Sequence, residues 1–456
     1  MLTYNFENID EPVYQYIYKC LKNDIIKGNL KANEKLPSKR SFAKNNGIST
    51  ITIQNAYDQL ASEGYIYTIS KKGYYVSEIS GLGKIPSGSP VSLAVKKTEK
   101  KKTEYLELSG SGTNPDNFPF TVWARVMRNV ISSKKEELMK PCNTGGCRQL
   151  REAIAAHLYS FKGMQVDPEQ IIVGAGTQYL YTLLIQLLGS DKKYCIENPG
   201  YRKLLDIYRA NHVDCKLASL DSFGMSMESL NKSGADIAHI SPAHHFPTGI
   251  VMPAARRYEM LAWANEKEGR YIIEDDYDSE FRVNGKPILP MFGMDACGKV
   301  IYMNTFSKTL SPTIRISYMI LPAELANRFY ESFSFYSCTV SNFEQYALSE
   351  FISLGYFEKH INRMRLYYSR KRRELLELIW KSRYAEKCHI IENCAGLHFI
   401  LKIDTKLSDR ELMDKLERKG IRIKALSEYY MDDSNKSKNM FLLDYSNLDI
   451  QRLSVI

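Results

Sequence analysis

Residues 171–190 read IIVGAGTQYLYTLLIQLLGS. No charge interrupts them, and about 18–20 apolar residues is the length at which a helix crosses a bilayer. Yet Gly174, Gly176, Thr177, Gln178 and Gln186 break the apolar run. A short buried strand, a Gly-rich turn and an amphipathic helix fit those breaks better than a membrane span does. The stretch is therefore read as one strand–turn–helix unit of a soluble α/β sheet, and a cytoplasmic protein is expected. The opening residues MLTYNFENIDEP are polar and acidic and lack the pattern of a signal peptide.

Outward from this stretch the same alternation recurs. From Tyr105 on, short apolar runs (Gln170–Val173, Tyr194–Ile196, Ile237–Ile240, Tyr271–Ile273, Val300–Tyr302) alternate with helical patterns, the signature of a mostly parallel sheet. Ligands bind beyond the carboxyl ends of such strands, so the residues after each run are read together. The first run is followed by Gly174-Ala175-Gly176-Thr177-Gln178, small residues that let backbone N–H groups reach an anion at a helix start. No Gly-Lys-Ser/Thr follows, so this is not a Walker loop. After the second run comes Glu197-Asn198-Pro199-Gly200-Tyr201, which sets an aromatic ring at the crevice. After the third comes Ser241-Pro242-Ala243-His244-His245-Phe246-Pro247-Thr248-Gly249. Adjacent histidines point apart, and no carboxylate or Cys has suitable spacing, so no metal is expected. The fourth run leads into Glu274-Asp275-Asp276-Tyr277-Asp278-Ser279-Glu280, carboxylates that require cations or a positively charged cofactor nearby. The fifth leads into Thr305-Phe306-Ser307-Lys308 and, seven residues after the lysine, Arg315. A lysine near a phosphate and a cation suits Schiff-base chemistry. An anion cradle, a ring, an acid, a lysine and an arginine at successive strand ends are what pyridoxal phosphate (PLP) needs.

The first 76 residues read differently. Glu11-Pro12 opens a helix with Val13, Tyr16, Ile17 and Cys20 at helical spacing, and Gly28 stops it. Ser38 caps a second helix to Asn46. After the Asn46-Gly47 turn, Ser49 caps a third with a buried stripe of Ile53, Ala56, Tyr57 and Leu60. Tyr65 to Val76 alternates around Lys71-Lys72-Gly73, a two-stranded ribbon with a basic turn. These elements make a winged helix-turn-helix whose third helix enters the major groove by its N-terminal end. Ser49, Thr50 and Thr52 then face bases or phosphates, Lys39, Arg40 and Lys44 lie near the backbone, and Lys71, Lys72 and Gly73 form the wing. The alternative is a small helical domain with a solvated basic face. Residues 77–104 hold Gly, Ser, Pro and a KKTEKKKTE run, the composition of a flexible basic linker.

Charge agrees with this division. The 456 residues carry 62 Lys and Arg against 52 Asp and Glu, a net +10. Residues 1–104 hold 16 of those bases against 10 acids, and the remaining 352 residues hold 46 against 42. More than half the excess therefore sits in less than a quarter of the chain, where a nucleic-acid contact is sought. A hydrophobic share of 44% and a charged share of 25% exclude disordered and collagen-like chains. Nine Cys without a C-x-x-C pair argue against a disulfide scaffold or a zinc ribbon.

Two blocks carry a family resemblance. The run from GNLKANEKLPSKRSFAKNNGIS through AYDQLASEGYIYTISKKGYYV resembles the DNA-binding domain of GntR-family repressors, with Thr50 where that family often has Arg. GGCRQLREAIAAHL, ENPGY, EDDYDSEFR and TFSKTLSPTIRISYMILP look like a fold-type I aminotransferase. Together they resemble the MocR/GabR subfamily over nearly the whole chain. The resemblance implies an α/β, PLP-dependent aminotransferase-like domain with a mostly parallel central sheet behind a winged helix-turn-helix. The expected division is 1–76, a linker 77–104, and 105–456, with a large part to about 325 and a small part from about 326. On that resemblance Lys308 forms the Schiff base with PLP. Asp275 keeps the pyridine nitrogen protonated, Tyr277 bonds the ring oxygen, and Tyr201 stacks on or lines the ring. Thr177, Gln178, Ser307 and Arg315 bind the phosphate.

Two departures bear on catalysis. Phe246 stands where aminotransferases usually carry Asn before Pro-Thr-Gly. Phe441-Leu442-Leu443-Asp444-Tyr445-Ser446 lacks the Arg that family enzymes place in a similar strand to grip a substrate carboxylate. Arg422 is the candidate substitute for effector binding. The expected function is a transcription regulator that binds promoter DNA and senses PLP or an amino compound. The competing class is an active aminotransferase with an appended DNA-binding domain. The family pattern further implies a homodimer, head-to-tail, with double-stranded promoter DNA as partner.

Overall fold

The computed structural model describes residues 4–6, 9, 11–79, 105–110, 112, 114–282, 288–391, 396–434 and 437–455. It divides into two compact units, Met1–Lys101 and Lys102–Ile456.

The first unit contains α1 (Val13–Ile26), α2 (Lys39–Asn46) and α3 (Thr50–Ser62), then β1 (Ile66–Ile69) and β2 (Gly73–Val76). Both predicted caps form: Ser38 Oγ accepts from Ser41 N–H and Ser49 Oγ from Ile51 N–H, each at 3.2 Å. Each satisfies a helix-start donor that has no partner within the helix. The buried stripe of α3 is Ile53, Ala56, Tyr57 and Leu60, as the spacing predicts, packed on Ile17, Leu21 and Phe42. On α1 the buried side is Ile17, Leu21 and Ile25, so the stripe lies one position on from the expected one and Val13 is exposed. The β1–β2 pair is antiparallel from Ile66↔Val76 to Ile69↔Gly73. Its turn holds Lys71 at φ +61° and Gly73 at φ +116°. The module extends slightly past 76, since Ser77 N–H bonds Tyr65 C=O at 2.9 Å and Ile79 packs on the same core. Residues 80–104, most of the expected linker, lie outside the described residues.

The second unit begins with β3 (Leu106–Glu107) and is built on eight strands: β4 (Ile171–Gly174), β5 (Lys193–Asn198), β6 (Asp214–Asp221), β7 (Gly224–Met225), β8 (Ile237–Ile240), β9 (Tyr271–Asp275), β10 (Val300–Thr305) and β11 (Ser317–Ile320). Their order is β4-β11-β10-β9-β8-β5-β6-β7. The pairs β10/β9, β9/β8, β8/β5 and β5/β6 are parallel, while β11 runs antiparallel to β10 and β4, and β7 to β6. The carboxyl ends of β4, β5, β8, β9 and β10 therefore meet at one edge of the sheet. The stretch that opened the sequence reading is β4, a turn and the helix Thr177–Leu188. No described helix is long and apolar enough to cross a membrane.

A second, antiparallel sheet joins β12 (Cys388–Ile391), β13 (His398–Ile403), β15 (Lys424–Ala425) and β16 (Met440–Asp444), while β14 (Ile421–Arg422) pairs with β3. The expected division near residue 325 needs correction. Phe329, Phe333, Tyr346, Phe351 and Ile361 all pack in the cores of the large sheet, and among the described residues past 325 the buried ones join the small-sheet core from Met364 on. Leu106 and Leu108 belong to that small core as well, so the start of the unit lies with its end. Apolar partners, not sequence distance, set the boundary.

One buried ion cluster fixes the end of β9. Lys162, at the end of the helix Arg148–Lys162, pairs with Asp276 and lies 3.6 Å from Glu280. Its ammonium also donates to Ser279 Oγ at 2.7 Å and Tyr302 Oη at 2.8 Å. Burial alone would lower the lysine, but Asp276 and Glu280 outweigh it and hold it above its ordinary value. Breaking such a pair leaves buried charge uncompensated, at a cost of about 3–5 kcal/mol. Lys162→Met is expected to lose about that much stability, read as a fall in the urea midpoint of the second unit. A change within about 0.5 kcal/mol, the range of ordinary surface substitutions, would show the cluster to be unimportant.

Candidate functional site

The five converging strand ends enclose a cavity of about 410 Å³. All eight residues expected to hold a cofactor line it: Thr177, Gln178, Tyr201, Asp275, Tyr277, Ser307, Lys308 and Arg315. Leu397, Ser446, Tyr368 and Gly112 complete the wall from the small-sheet side.

Each position follows from local structure. Thr177 and Gln178 begin a helix, where backbone N–H groups lack partners within the helix and attract anions. Gly176, at φ +91°, precedes them, and a Cβ there would lie 2.3 Å from an Arg315 nitrogen. Only glycine lets the guanidinium pass so close. Arg315 itself is held at φ +54°, a left-handed conformation that is costly for a residue with a Cβ. Ser307 is on the short helix Phe306–Thr309, whose N-cap is Thr305, and its Oγ is buried without a hydrogen-bond partner. Tyr201 stands half-exposed at the mouth, edge-on to Phe246 at 6.2 Å between ring centres.

The two adjacent aspartates separate cleanly. Side chains at a strand end alternate in direction. Asp276 turns to Lys162 and is buried, whereas Asp275 faces the cavity. Asp275 Oδ2 accepts from Tyr181 Oη at 2.7 Å, and Oδ1 is buried without a partner. His239 stands 3.8 Å from Asp275 through Nε2 and bonds Tyr208 Oη at 2.7 Å through Nδ1. Tyr181 and His239 were not singled out in the sequence. The signal for Tyr181 was its place one turn after Thr177; His239 sits within an apolar strand and gives none.

Two orphaned polar atoms of cavity-lining residues, Asp275 Oδ1 and Ser307 Oγ, test the fit of PLP. They match a protonated ring nitrogen and a phosphate oxygen. The helix start, Arg315 and the lysine supply the remaining groups in a cavity of suitable size. The residues fit the cofactor.

Behind Tyr277 lies a buried group that the sequence reading did not assemble. His244 Nδ1 bonds Asp278 at 2.9 Å and lies 3.4 Å from Tyr277 Oη. The His398 ring centre is 4.4 Å from that of His244. The expectation that no carboxylate accompanies the histidines is thus corrected, because folding brings Asp278 and His398 to His244 from 34 and 154 positions away. His245 faces elsewhere, with Nε2 3.5 Å from Glu197. Burial pushes Glu197 up to about 8 and His245 down to about 3.

Arg422 is not on the cavity wall. It is exposed, pairs with Glu417 at 2.8 Å, and lies over the Tyr105 ring at 4.2 Å. The effector role expected of it is corrected accordingly: its guanidinium is engaged on the outside of the small sheet. In the C-terminal strand, Asp444 is buried and raised by burial, with Lys308 acting against that rise.

In the first unit, Arg40, Lys44, Ser49, Thr50, Lys71 and Lys72 are exposed, and Thr52 and Gly73 are half-buried. Lys39 turns back over the Tyr74 ring, 5.6 Å from its centre. The exposed side of α3 also carries Ile51, Gln54 and Asn55, which the sequence reading passed over.

Residues 108–438 match the family model of class I and II aminotransferases, and residues 13–76 that of the bacterial regulatory proteins of the gntR family. The chain is 34% identical to the HTH-type transcriptional regulator YdeL of Bacillus subtilis, over 97% of this chain and 95% of that protein. It is 30% identical to the probable rhizopine catabolism regulatory protein MocR of Rhizobium meliloti, over 96% and 91%. The kynurenine aminotransferase structure from Pyrococcus horikoshii superposes with a TM-score of 0.66, covering 78% of this chain and 89% of that one at 23% identity, a likeness of fold.

The raised Glu197 makes a pH prediction. The native state keeps a proton that the unfolded chain releases from pH 4.5, so stability falls as pH rises to about 8. His245 acts oppositely below 6.5, where the unfolded chain takes up a proton that the native state refuses. The two offset each other at low pH, and a net decline is expected from about 6.5 to about 8. Glu197→Gln should flatten that segment in thermal melts across this range; an unchanged slope contradicts the assignment.

Proposed function

The chain belongs to the MocR/GabR subfamily of GntR-family regulators, a winged helix-turn-helix joined to an aminotransferase-like domain, and from that premise we propose how its two units work. The first unit binds promoter DNA. The second holds PLP and reports on PLP itself or on a small amine that reacts with it. One observation carries this reading: eight residues, seven of them from the ends of four strands and Arg315 from the loop before β11, line a single cavity in a chain that also carries a DNA-binding module.

PLP supplies reversible covalent capture of amines and a ring that draws electrons from them. The residues do the rest. Lys308, on the cavity wall with Ser307, would supply the amine that holds the cofactor covalently. Thr177, Gln178, Ser307 and Arg315 take the phosphate, with the helix start contributing its N–H groups. Asp275, oriented by Tyr181, places Oδ1 to keep a ring nitrogen protonated. Tyr277 and Tyr201, both on the cavity wall, would hold the cofactor's ring, Tyr277 through its hydroxyl and Tyr201 through its ring. Leu442 and Leu443 put no guanidinium in the C-terminal strand, which favours sensing over turnover of ordinary amino acids. A ligand switches the protein only by its unequal affinity for two arrangements of it. We further propose a homodimer that presents two winged helices to paired half-sites.

Purified protein is expected to carry PLP with visible absorbance, and Lys308→Ala to lose the covalent bond. PLP-free wild type, or covalent PLP in the variant, overturns the cofactor assignment. A panel of amino donors should give only slow half-reactions; conversion at enzyme-like rates favours the aminotransferase. For DNA, each phosphate contact contributes about 0.9 to the slope of log affinity against log salt. Arg40→Ala with Lys44→Ala is expected to lower that slope by about two contacts' worth while the protein stays folded. An unchanged slope removes both residues from the interface.

A further inference from the structure

Outside the cavity, two thiols meet at one buried amide. Gln345 Nε2 donates to Cys142 Sγ at 3.3 Å and to Cys338 Sγ at 3.6 Å, and also to Val340 C=O at 2.9 Å. Gln345 is fully buried, and its Oε1 accepts from Cys147 N–H at 2.8 Å, the N-cap of the helix Arg148–Lys162. Thr144 Oγ donates to Phe333 C=O at 3.1 Å and to Tyr336 C=O at 2.6 Å, so the loop bearing Cys142 is tied to the segment leading to Cys338. Both cysteines are only half-buried.

We propose that Cys142 and Cys338 are an oxidation site, converted by a hydroperoxide to an intramolecular disulfide. Cys142 is the attacking sulfur. Its thiol is lowered to about 7, first by a hydrogen bond from Cys338 and then, against burial, by Gln345 and Arg151. Cys338 is raised by its bond to Cys142 and by burial, so it stays protonated until the second step. The Cys142 thiolate attacks one peroxide oxygen, the O–O bond breaks, and water leaves after protonation, with the sulfur oxidised to a sulfenic acid. Cys338 then attacks that sulfur, its proton departs with the sulfenic hydroxyl as a second water, and the S–S bond forms. Two thiols and one hydrogen peroxide give one disulfide and two waters.

The site is wired to the phosphate cradle, a step that rests on the PLP reading. Cys338 Sγ also lies 3.4 Å from Val173 C=O, in the strand feeding the Gly174–Gln178 turn. Its neighbour Thr339 accepts from Ala175 N–H at 3.0 Å through Oγ1, inside that turn. Drawing Cys338 toward Cys142 breaks the first contact and shifts the Thr339–Ala175 bond, so oxidation weakens the hold on the cofactor's phosphate.

The test uses the full chain loaded with PLP, treated with hydrogen peroxide. Expected is an intact-mass loss of two hydrogens, a single Cys142–Cys338 linked peptide, and PLP retention weakened roughly tenfold, a usual size for coupling between sites. In Cys338→Ser, dimedone should label Cys142; in Cys142→Ser, neither labelling nor linkage should appear. A different pairing, or no disulfide in wild type, overturns the site whatever the variants do. Linkage with unchanged PLP retention overturns the coupling. Failure of the reduced protein to bind PLP leaves the linked-peptide result to stand alone, so the two readings fail separately.

Discussion

The Lys162–Asp276 pair is the contact on which the cavity depends. A strand sends neighbouring side chains to opposite sides. Once Asp276 is committed to a buried ammonium, Asp275 has only the cavity to face. Lys162 is supplied from the end of a helix more than a hundred residues earlier, and Tyr302, from the adjacent strand β10, donates to the same Asp276 oxygen at 2.8 Å. Helix, β9 and β10 are thereby set in register at the edge where Lys308 emerges. Two carboxylates around one ammonium leave Glu280 raised by burial, with Asn304 donating to it at 3.0 Å.

On the facing wall the constraint is steric. Gly176 lets the Arg315 side chain close against the turn, and the Arg315 backbone is held in a left-handed conformation. Strain of this kind persists only where surroundings enforce it. Here β10 and β11 enforce it, since Phe306 N–H bonds Ile316 C=O at 2.9 Å and closes the loop that carries the arginine. The Gly176–Arg315 wall is thus fixed by the backbone, and Tyr368, Leu397 and Ser446 close the cavity from the side of the smaller sheet.

Much of this was legible in residue order. Ser38 and Ser49 announce two helices because a side-chain oxygen before an apolar repeat has one energetically useful place to go. The Gly-rich turn, the Asp-Asp-Tyr run and Ser307-Lys308 each follow a short apolar run, so the sheet rule alone gathers them. The readings that failed share a physical cause. Arg422 was chosen for its charge, but Glu417 and the Tyr105 ring lie close enough to engage it. The division near 325 followed sequence position, while buried apolar surface continues past it to Ile361. His244 looked unpartnered because Asp278 and His398 are distant in the chain.

The sequence by itself therefore determined the elements, their order and the chemistry gathered at one sheet edge, because periodicity, caps and turn residues act over a few positions. Tertiary structure alone decided which aspartate faces the cavity, that Tyr181 orients it, that Gly176 makes room for Arg315, and that two cysteines share the amide of Gln345. Each of those is a contact between side chains far apart in the chain. It exists only after burial has fixed which neighbours a group must satisfy, and local residue preference carries no record of that.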